Sequence, residues 1–159
     1  MALVINLRLL EKDDLHLVGE VPVSELDING VDELIQGGKP LEYDLEAQKL
    51  ESGILVTGDL WLELKCECAR CLKGFVFVLE LTEWACHIPL EGEEKAVISN
   101  DCVDLTPYVR EDILLGFPQH PLCEPDCGGL PRKAISKAKK TNGVGPTKTG
   151  SAWAELNKL

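Results

Sequence analysis

The sequence lacks most of the signals by which enzymes and membrane proteins are identified. Its 159 residues contain no glycine-rich phosphate loop, no nucleophile elbow and no HExxH motif. No apolar run approaches the ~20 residues that cross a bilayer. The apolar start MALVINLRLL is interrupted by Asn6 and Arg8, which is not typical of a signal peptide. We therefore expect a cytoplasmic protein that is not an enzyme, with no membrane contact and no small-molecule substrate.

Cysteine is present in an odd number, which argues against a closed set of disulfides. There are seven cysteines but only one methionine. A chain of 159 residues with 45% hydrophobic residues buries an adequate core without covalent staples. Thiols stay reduced in the cytoplasm, so clustered cysteines there indicate a metal site or catalysis first.

Basic residues are scarce in most of the chain and concentrated at its end. Residues 1–131 hold nine Lys and Arg against 26 Asp and Glu, a net charge of −17. Residues 132–159 hold seven basic residues and one acidic residue, a net charge of +6. An acidic body repels phosphate backbones and a basic segment attracts them. We therefore expect any contact with nucleic acid to involve the basic segment, a local basic spot or a protein partner; an alternative reading is that the acidity only keeps the protein soluble.

Alternating apolar and polar residues predict a sheet. Residues 3–10 and 15–23 are expected to form strands, and residues 54–68 show period two, with Leu60, Leu62, Leu64, Cys66 and Cys68 on one face. After a short turn, residues 75–90 are rich in β-branched and aromatic residues, which predicts an antiparallel hairpin. Residues 91–102 are expected to form a loop.

One helix is predicted near residues 105–116. Thr106 is a candidate N-cap, Pro107 fits the first helical position, and Gly116 and Pro118 end the pattern. The predicted fold is α+β, a curved, largely antiparallel sheet or partial barrel of about six strands with one main helix and a short C-terminal helix. The predicted organisation is an α+β domain over residues 1–131, a basic flexible linker over 132–150 and a short helix over 151–159.

Four cysteines form two closely spaced pairs. Cys68 and Cys71 make a C-x2-C motif at the hairpin turn, and Cys123 and Cys127 make a C-x3-C motif after the helix, both with glycine nearby. Zinc takes four soft ligands in a tetrahedron, and a tight turn presents two thiolates on one side of the chain. We predict a structural zinc site with these four ligands.

Three alternatives remain open for the cysteines. They are four unrelated thiols, a site completed by His120 or Cys66 in place of one cysteine, and a thiol redox enzyme. Redox pairs of the C-x-x-C type lie at helix N-termini, whereas this one joins two strands and has Glu67 beside it. Cys66 shares a strand face with leucines, which favours core packing.

Candidate contacts with RNA or a protein partner are basic side chains. Arg70 lies in the hairpin turn and Arg110 on the helix, although each has acidic neighbours with which it could pair. The candidates in the basic segment are Lys133, Lys137, Lys139 and Lys140.

The motifs together resemble the YceD-like family, the large ribosomal RNA subunit accumulation proteins. The matching residues are Cys68, Arg70, Cys71 and Leu72; the run from Asp104 to Leu115; Pro118, Pro121, Leu122, Cys123, Cys127, Gly129 and Leu130; and the run from Trp153 to Leu159. The resemblance implies a bacterial or plastid-type cytosolic factor of large-subunit biogenesis, needed for 23S rRNA to accumulate or be processed, with rRNA or basic ribosomal or processing proteins as its partners. An alternative hypothesis is a zinc-stabilised protein–protein adaptor with no direct RNA role.

Overall fold

The computed structural model describes residues 3–130, and these form a mainly antiparallel sheet structure with three short helices. The elements in chain order are β1 (Val4–Asn6), α1 (Leu7–Leu10), β2 (Leu15–Val21), α2 (Val23–Leu26), β3 (Ile35–Gly37), β4 (Leu41–Lys49), β5 (Gly53–Glu67), β6 (Gly74–Pro89), β7 (Ile98–Ser99), β8 (Cys102–Asp104) and α3 (Thr106–Leu115). The α+β class and the antiparallel sheet are as predicted; the expectation of a single main helix is not confirmed, because α1 and α2 accompany α3. The predicted linker and C-terminal helix lie outside the described residues.

The larger sheet is a curled half-barrel with β5 at its centre. One edge of β5 pairs with β4 and, farther along, with β3; its other edge pairs with β6, and β2 extends the sheet beyond β4. The predicted hairpin is confirmed, with Gly53 opposite Pro89 at one end and Glu67 opposite Gly74 at the turn. This hairpin places the first cysteine pair at its tip.

Period two in β5 determines which side chains enter the core. Leu60, Leu62, Leu64 and Cys66 are buried as predicted, and Trp61, Glu63 and Lys65 lie on the opposite face. A small sheet of order β1–β8–β7 and the buried face of α3 contribute the rest of the core, including Ile5, Val103, Val109 and Ile113. Burial of these side chains is the main driving force for folding.

Three local expectations from the sequence are wrong in detail. The first strand ends at Asn6, because its side chain accepts hydrogen bonds from the amides of Arg8 and Leu9 and so begins a helical turn. Residues 91–102 contain the short strand β7 rather than only a loop. Thr106 does not cap α3: its own amide donates to Asp104 Oδ1, and the side chain of the N-cap residue Leu105 makes no capping bond.

Candidate metal centre

The first cysteine pair lies in a tight turn at the tip of the β5–β6 hairpin. The amide of Cys68 donates to the carbonyl of Lys73 at 2.9 Å, and the amide of Leu72 donates to the carbonyl of Cys68 at 2.9 Å. Leu72 adopts a left-handed conformation with φ of 62°, which closes the turn after Cys71. These bonds hold Cys68 and Cys71 in one short loop.

The second pair lies in the segment that follows α3. Gly116 ends the helix, and its amide donates to the carbonyls of Asp112 and Ile113. Farther on, the amide of Cys127 donates to the carbonyl of Glu124 at 3.1 Å, which forms a turn between the two cysteines. Gly129 then adopts a positive φ of 85°, which glycine reaches without steric cost.

Hydrogen bonds join the loops across the centre. The amide of Ala69 donates to the carbonyl of Pro121 at 2.8 Å. The guanidinium of Arg70 donates to the carbonyl of Cys127 at 3.0 Å. Neither contact was predicted from the sequence, since a backbone carbonyl carries no signal in its residue type. Arg70 therefore has a structural contact within the centre and is not paired with its acidic neighbour Glu67.

The four sulfurs come together as one group. Cys68 Sγ lies 3.6 Å from Cys127 Sγ, and Cys71 Sγ lies 3.6 Å from Cys123 Sγ. All four sulfur atoms lie within 4.8 Å of one another. Zinc bound to sulfur at about 2.3 Å requires sulfurs about 3.8 Å apart. The arrangement is therefore one that a tetrahedral ion of this size fits.

The thiols do not have equal affinities for protons. Hydrogen bonds from the backbone amide of Cys71, and also from those of Cys123 and Arg70, lower the pKa of Cys68 to about 6 against the opposing effect of burial. A hydrogen bond with the Cys71 sulfur and the burial of the group raise the pKa of Cys123 to about 12. Backbone amides aimed at a sulfur stabilise its thiolate, which is the form that binds a metal ion.

The remaining predicted site residues lie elsewhere. Arg110 donates to the carbonyl of Asp27 at 3.1 Å, and so satisfies the C-terminal end of α2 rather than pairing with Glu111 or Asp112. His120 is exposed and Cys66 belongs to the core, and neither is part of the sulfur group. The basic candidates Lys133, Lys137, Lys139 and Lys140 fall outside the described residues.

Two further cysteines stand apart from the group. Cys86 on β6 packs against the core, and burial, followed by the nearby carboxylates of Asp112 and Glu111, raises its pKa. Cys102 begins β8 and is half-buried. Within residues 3–130, no helix combines the length and the apolar composition needed to cross a bilayer.

The cysteine centre lies in a part of the chain that matches a known protein family. The family model described as large ribosomal RNA subunit accumulation protein YceD matches residues 56–159, which include all four cysteines. No solved structure matches the chain.

Curated relatives are found in mycobacteria and bacilli. An uncharacterized protein of Mycobacterium tuberculosis strain H37Rv is 34% identical over 105 residues, covering 60% of this chain and 50% of its own length. The uncharacterized protein YlbN of Bacillus subtilis is 25% identical over 115 residues, covering 65% of this chain and 64% of its own length. The chain therefore spans about half the length of the mycobacterial protein and under two thirds of the length of the Bacillus subtilis protein.

Proposed function

The chain belongs to the YceD family of large ribosomal RNA subunit accumulation proteins, and we propose that it is a cytoplasmic, non-enzymatic factor of large-subunit biogenesis. In this role it supports the accumulation or processing of 23S rRNA. The observation that carries the proposal is the family match over residues 56–159. The cysteine centre and the charge distribution supply its physical content.

The four cysteines hold zinc in this proposal, and the ion has a structural role. Cys68, Cys71, Cys123 and Cys127 provide four sulfur ligands, which is the donor set of closed structural zinc sites. Catalytic zinc sites keep one position open for water or substrate, whereas four thiolates fill the coordination sphere. The ion would tie the hairpin tip to the segment after α3, so that both loops present one fixed surface.

The charge distribution assigns separate roles to the body and the C-terminal segment. The net charge of −17 on residues 1–131 favours basic ribosomal or processing proteins as partners of the body. Contact with rRNA falls to the segment with Lys133, Lys137, Lys139 and Lys140, because phosphates attract these side chains. Arg70 and Arg110 supply minor contacts in this proposal, because each donates one bond to a carbonyl of the protein itself and keeps its other N–H donors.

Depletion followed by complementation tests the biological role. A strain depleted of the protein should show a reduced ratio of 23S to 16S rRNA, restored by the wild-type chain. The Cys68→Ser, Cys71→Ser double variant should restore less, and a Cys102→Ser variant should restore fully. Normal 23S rRNA in the depleted strain would rule out the ribosomal role.

RNA contact is tested through its dependence on salt. The full chain should enrich large-subunit RNA from lysate at low salt, with association falling as salt rises. Replacing Lys133, Lys137, Lys139 and Lys140 by Gln should flatten that dependence. The reference is a variant in which Lys12, Lys49 and Lys95 of the body are changed to Gln, which should keep the wild-type slope.

A protein–protein adaptor with no direct RNA role is the second candidate. The acidic body favours it, because 26 acidic side chains against nine basic ones repel nucleic acid. An adaptor would retain its protein partners after nuclease treatment, and its depletion would leave 23S rRNA unchanged. The depletion experiment therefore separates the two functions.

A further inference from the structure

The strand β6 has a long outer edge along which no other described strand runs. Of the described strands only β5 pairs with β6, from Gly74 to Pro89. Proteins normally protect edge strands with prolines, lysines, bulges or a covering segment. Between Gly74 and Leu81, in the sequence GFVFVLEL, the strand has neither proline nor lysine.

The hydrogen bonds of β5 determine which backbone groups of β6 face outward. The carbonyl of Glu63 accepts from the amide of Gly38, and the amide of Glu67 donates to the carbonyl of Leu34. The odd-numbered residues of β5 therefore direct their backbone groups towards the β3 side of the sheet. The even-numbered residues of β5 therefore direct their backbone amides and carbonyls towards β6, where they pair with Phe75, Phe77 and Leu79. The backbone amides and carbonyls of Val76, Val78 and Glu80 consequently point to the outer edge.

The side chains beside these groups are open to contact. Val76 is 57% exposed and Val78 is 51% exposed, on the face of the sheet opposite the core. Glu80 is exposed and has no ion pair within residues 3–130. Three alternate positions thus carry backbone groups that bond to no other residue within 3–130, with two valines followed by a carboxylate.

We propose that the outer edge of β6 at Val76, Val78 and Glu80 binds an extended, basic segment of a partner protein as an added antiparallel or parallel strand. Backbone hydrogen bonds supply the affinity in this mode of recognition, and alternate side chains supply the specificity. Apolar residues of the partner lie beside the valines, and a lysine or arginine lies beside Glu80. The choice of a basic segment rests on the proposed function.

Charge decides between this occupant and a second copy of the chain. Two bodies that each carry −17 over residues 1–131 repel one another when their edges approach, and nucleic acid is repelled for the same reason. A lysine-bearing segment is attracted instead. The edge is therefore matched to a positively charged strand.

Amide hydrogen exchange on the full-length protein, with the peptide acetyl-(Lys-Val)4-amide as the probe, tests the proposal. The peptide should slow exchange at the amides of Val76, Val78 and Glu80 about tenfold or more, because these amides gain hydrogen bonds on binding. Exchange at Phe77 and Leu79 should already be slow without peptide. An acetyl-(Glu-Val)4-amide peptide should give no protection.

A matched pair of variants locates the site. Val78→Lys places a like charge on the edge and should weaken the Lys-Val peptide about tenfold. Val18→Lys adds the same charge to an exposed position on β2, a different edge strand, and should bind the peptide within about twofold of wild type. Should Val78→Lys fail to fold, the exchange data on the wild-type protein decide the question.

Three results would overturn the proposal. One is peptide binding without protection of the three amides. Another is slow exchange at these three amides without peptide, to the same extent at every protein concentration. That result would mean that the chain covers its own edge. The third is protection that rises with protein concentration, which would assign the edge to a second copy. No ribosomal RNA enters this experiment, so its failure leaves the proposed ribosomal role to be judged by depletion.

Discussion

The sulfur of Cys71 lies 3.6 Å from the sulfur of Cys123, although 52 positions separate the two residues in the sequence. The hairpin tip and the segment after α3 therefore meet at a single point. Hydrogen bonds hold them there in part, from the amide of Ala69 to the carbonyl of Pro121 and from the guanidinium of Arg70 to the carbonyl of Cys127. A metal ion bound to both pairs would add a constraint that spans most of the second half of the described chain.

Removing one sulfur should release the metal. We expect Cys127→Ser to lower zinc affinity by at least about 100-fold, the upper end of the loss seen when only a residue that orients a ligand is removed. Elemental analysis of the purified protein and competition with a colorimetric chelator measure the change. Cys102→Ser, which alters a half-buried cysteine outside the group, should retain wild-type zinc. Equal zinc in the two variants would contradict the four-sulfur site.

Metal binding should release protons, and its affinity should fall as the pH falls. At pH 7 in the metal-free protein Cys68, with a pKa of about 6, is mainly thiolate, whereas Cys123, with a pKa of about 12, is protonated. Zinc replaces the protons of the thiols that it binds, so acid competes with the metal. Below pH 6 Cys68 also takes up a proton, and affinity should decline more steeply.

Calorimetry in two buffers with different ionisation enthalpies counts these protons. At pH 7 the wild-type protein should release at least about one proton per zinc, as expected from the protonated Cys123. A heat of binding that is the same in both buffers would show that no proton leaves, and would contradict the assigned protonation states.

Arg70 should slow the loss of metal by joining the two loops. Its guanidinium donates to the carbonyl of Cys127. A hydrogen bond whose net contribution to stability is about 0.5–1.5 kcal/mol changes an equilibrium constant roughly two- to tenfold. We expect Arg70→Ala to transfer zinc to a chelator faster by about that factor. Lys73→Ala removes an exposed positive charge from the same turn and should leave the rate unchanged. Equal acceleration in the two variants would assign the effect to the lost positive charge, and a wild-type rate in Arg70→Ala would mean that this hydrogen bond does not slow the loss of metal.

The sequence was informative where residue type controls structure. Period two identified the buried face of β5, and the two cysteine pairs identified the residues that the structure brings together. It was uninformative where backbone groups decide the outcome. The bond from Ala69 to Pro121 and the outward amides of β6 depend on register, which no residue type reveals. The turn at Asn6 was missed because a single side-chain cap outweighed an apolar run.

Trp84 on β6 and Asp112 on α3 form a polar contact that ties the helix to the sheet. The indole nitrogen of Trp84 donates to Asp112 Oδ2 at 2.6 Å, and the tryptophan is buried. Asp112→Ala leaves that donor without its acceptor, which costs about 1–3 kcal/mol. Chemical denaturation should show this loss, and Glu111→Ala, at the exposed neighbouring position, should change stability by under about 0.5 kcal/mol. A Trp84→Phe background should remove most of the effect of Asp112→Ala; full additivity would contradict the contact.

Gly58 marks the irregularity in the β5–β6 pairing and should not tolerate a side chain. Its φ is +147°, and a Cβ there would overlap the carbonyl oxygen of Asp44. Both the strained conformation and the backbone clash oppose substitution, so Gly58→Ala should lower the free energy of unfolding by about 1–3 kcal/mol or more. Gly74→Ala is the matched control, because a Cβ at Gly74 would meet nothing within 4 Å. Thermal denaturation compares the two, and a Gly58→Ala protein as stable as Gly74→Ala would show that β4 does not approach β5 as closely as described.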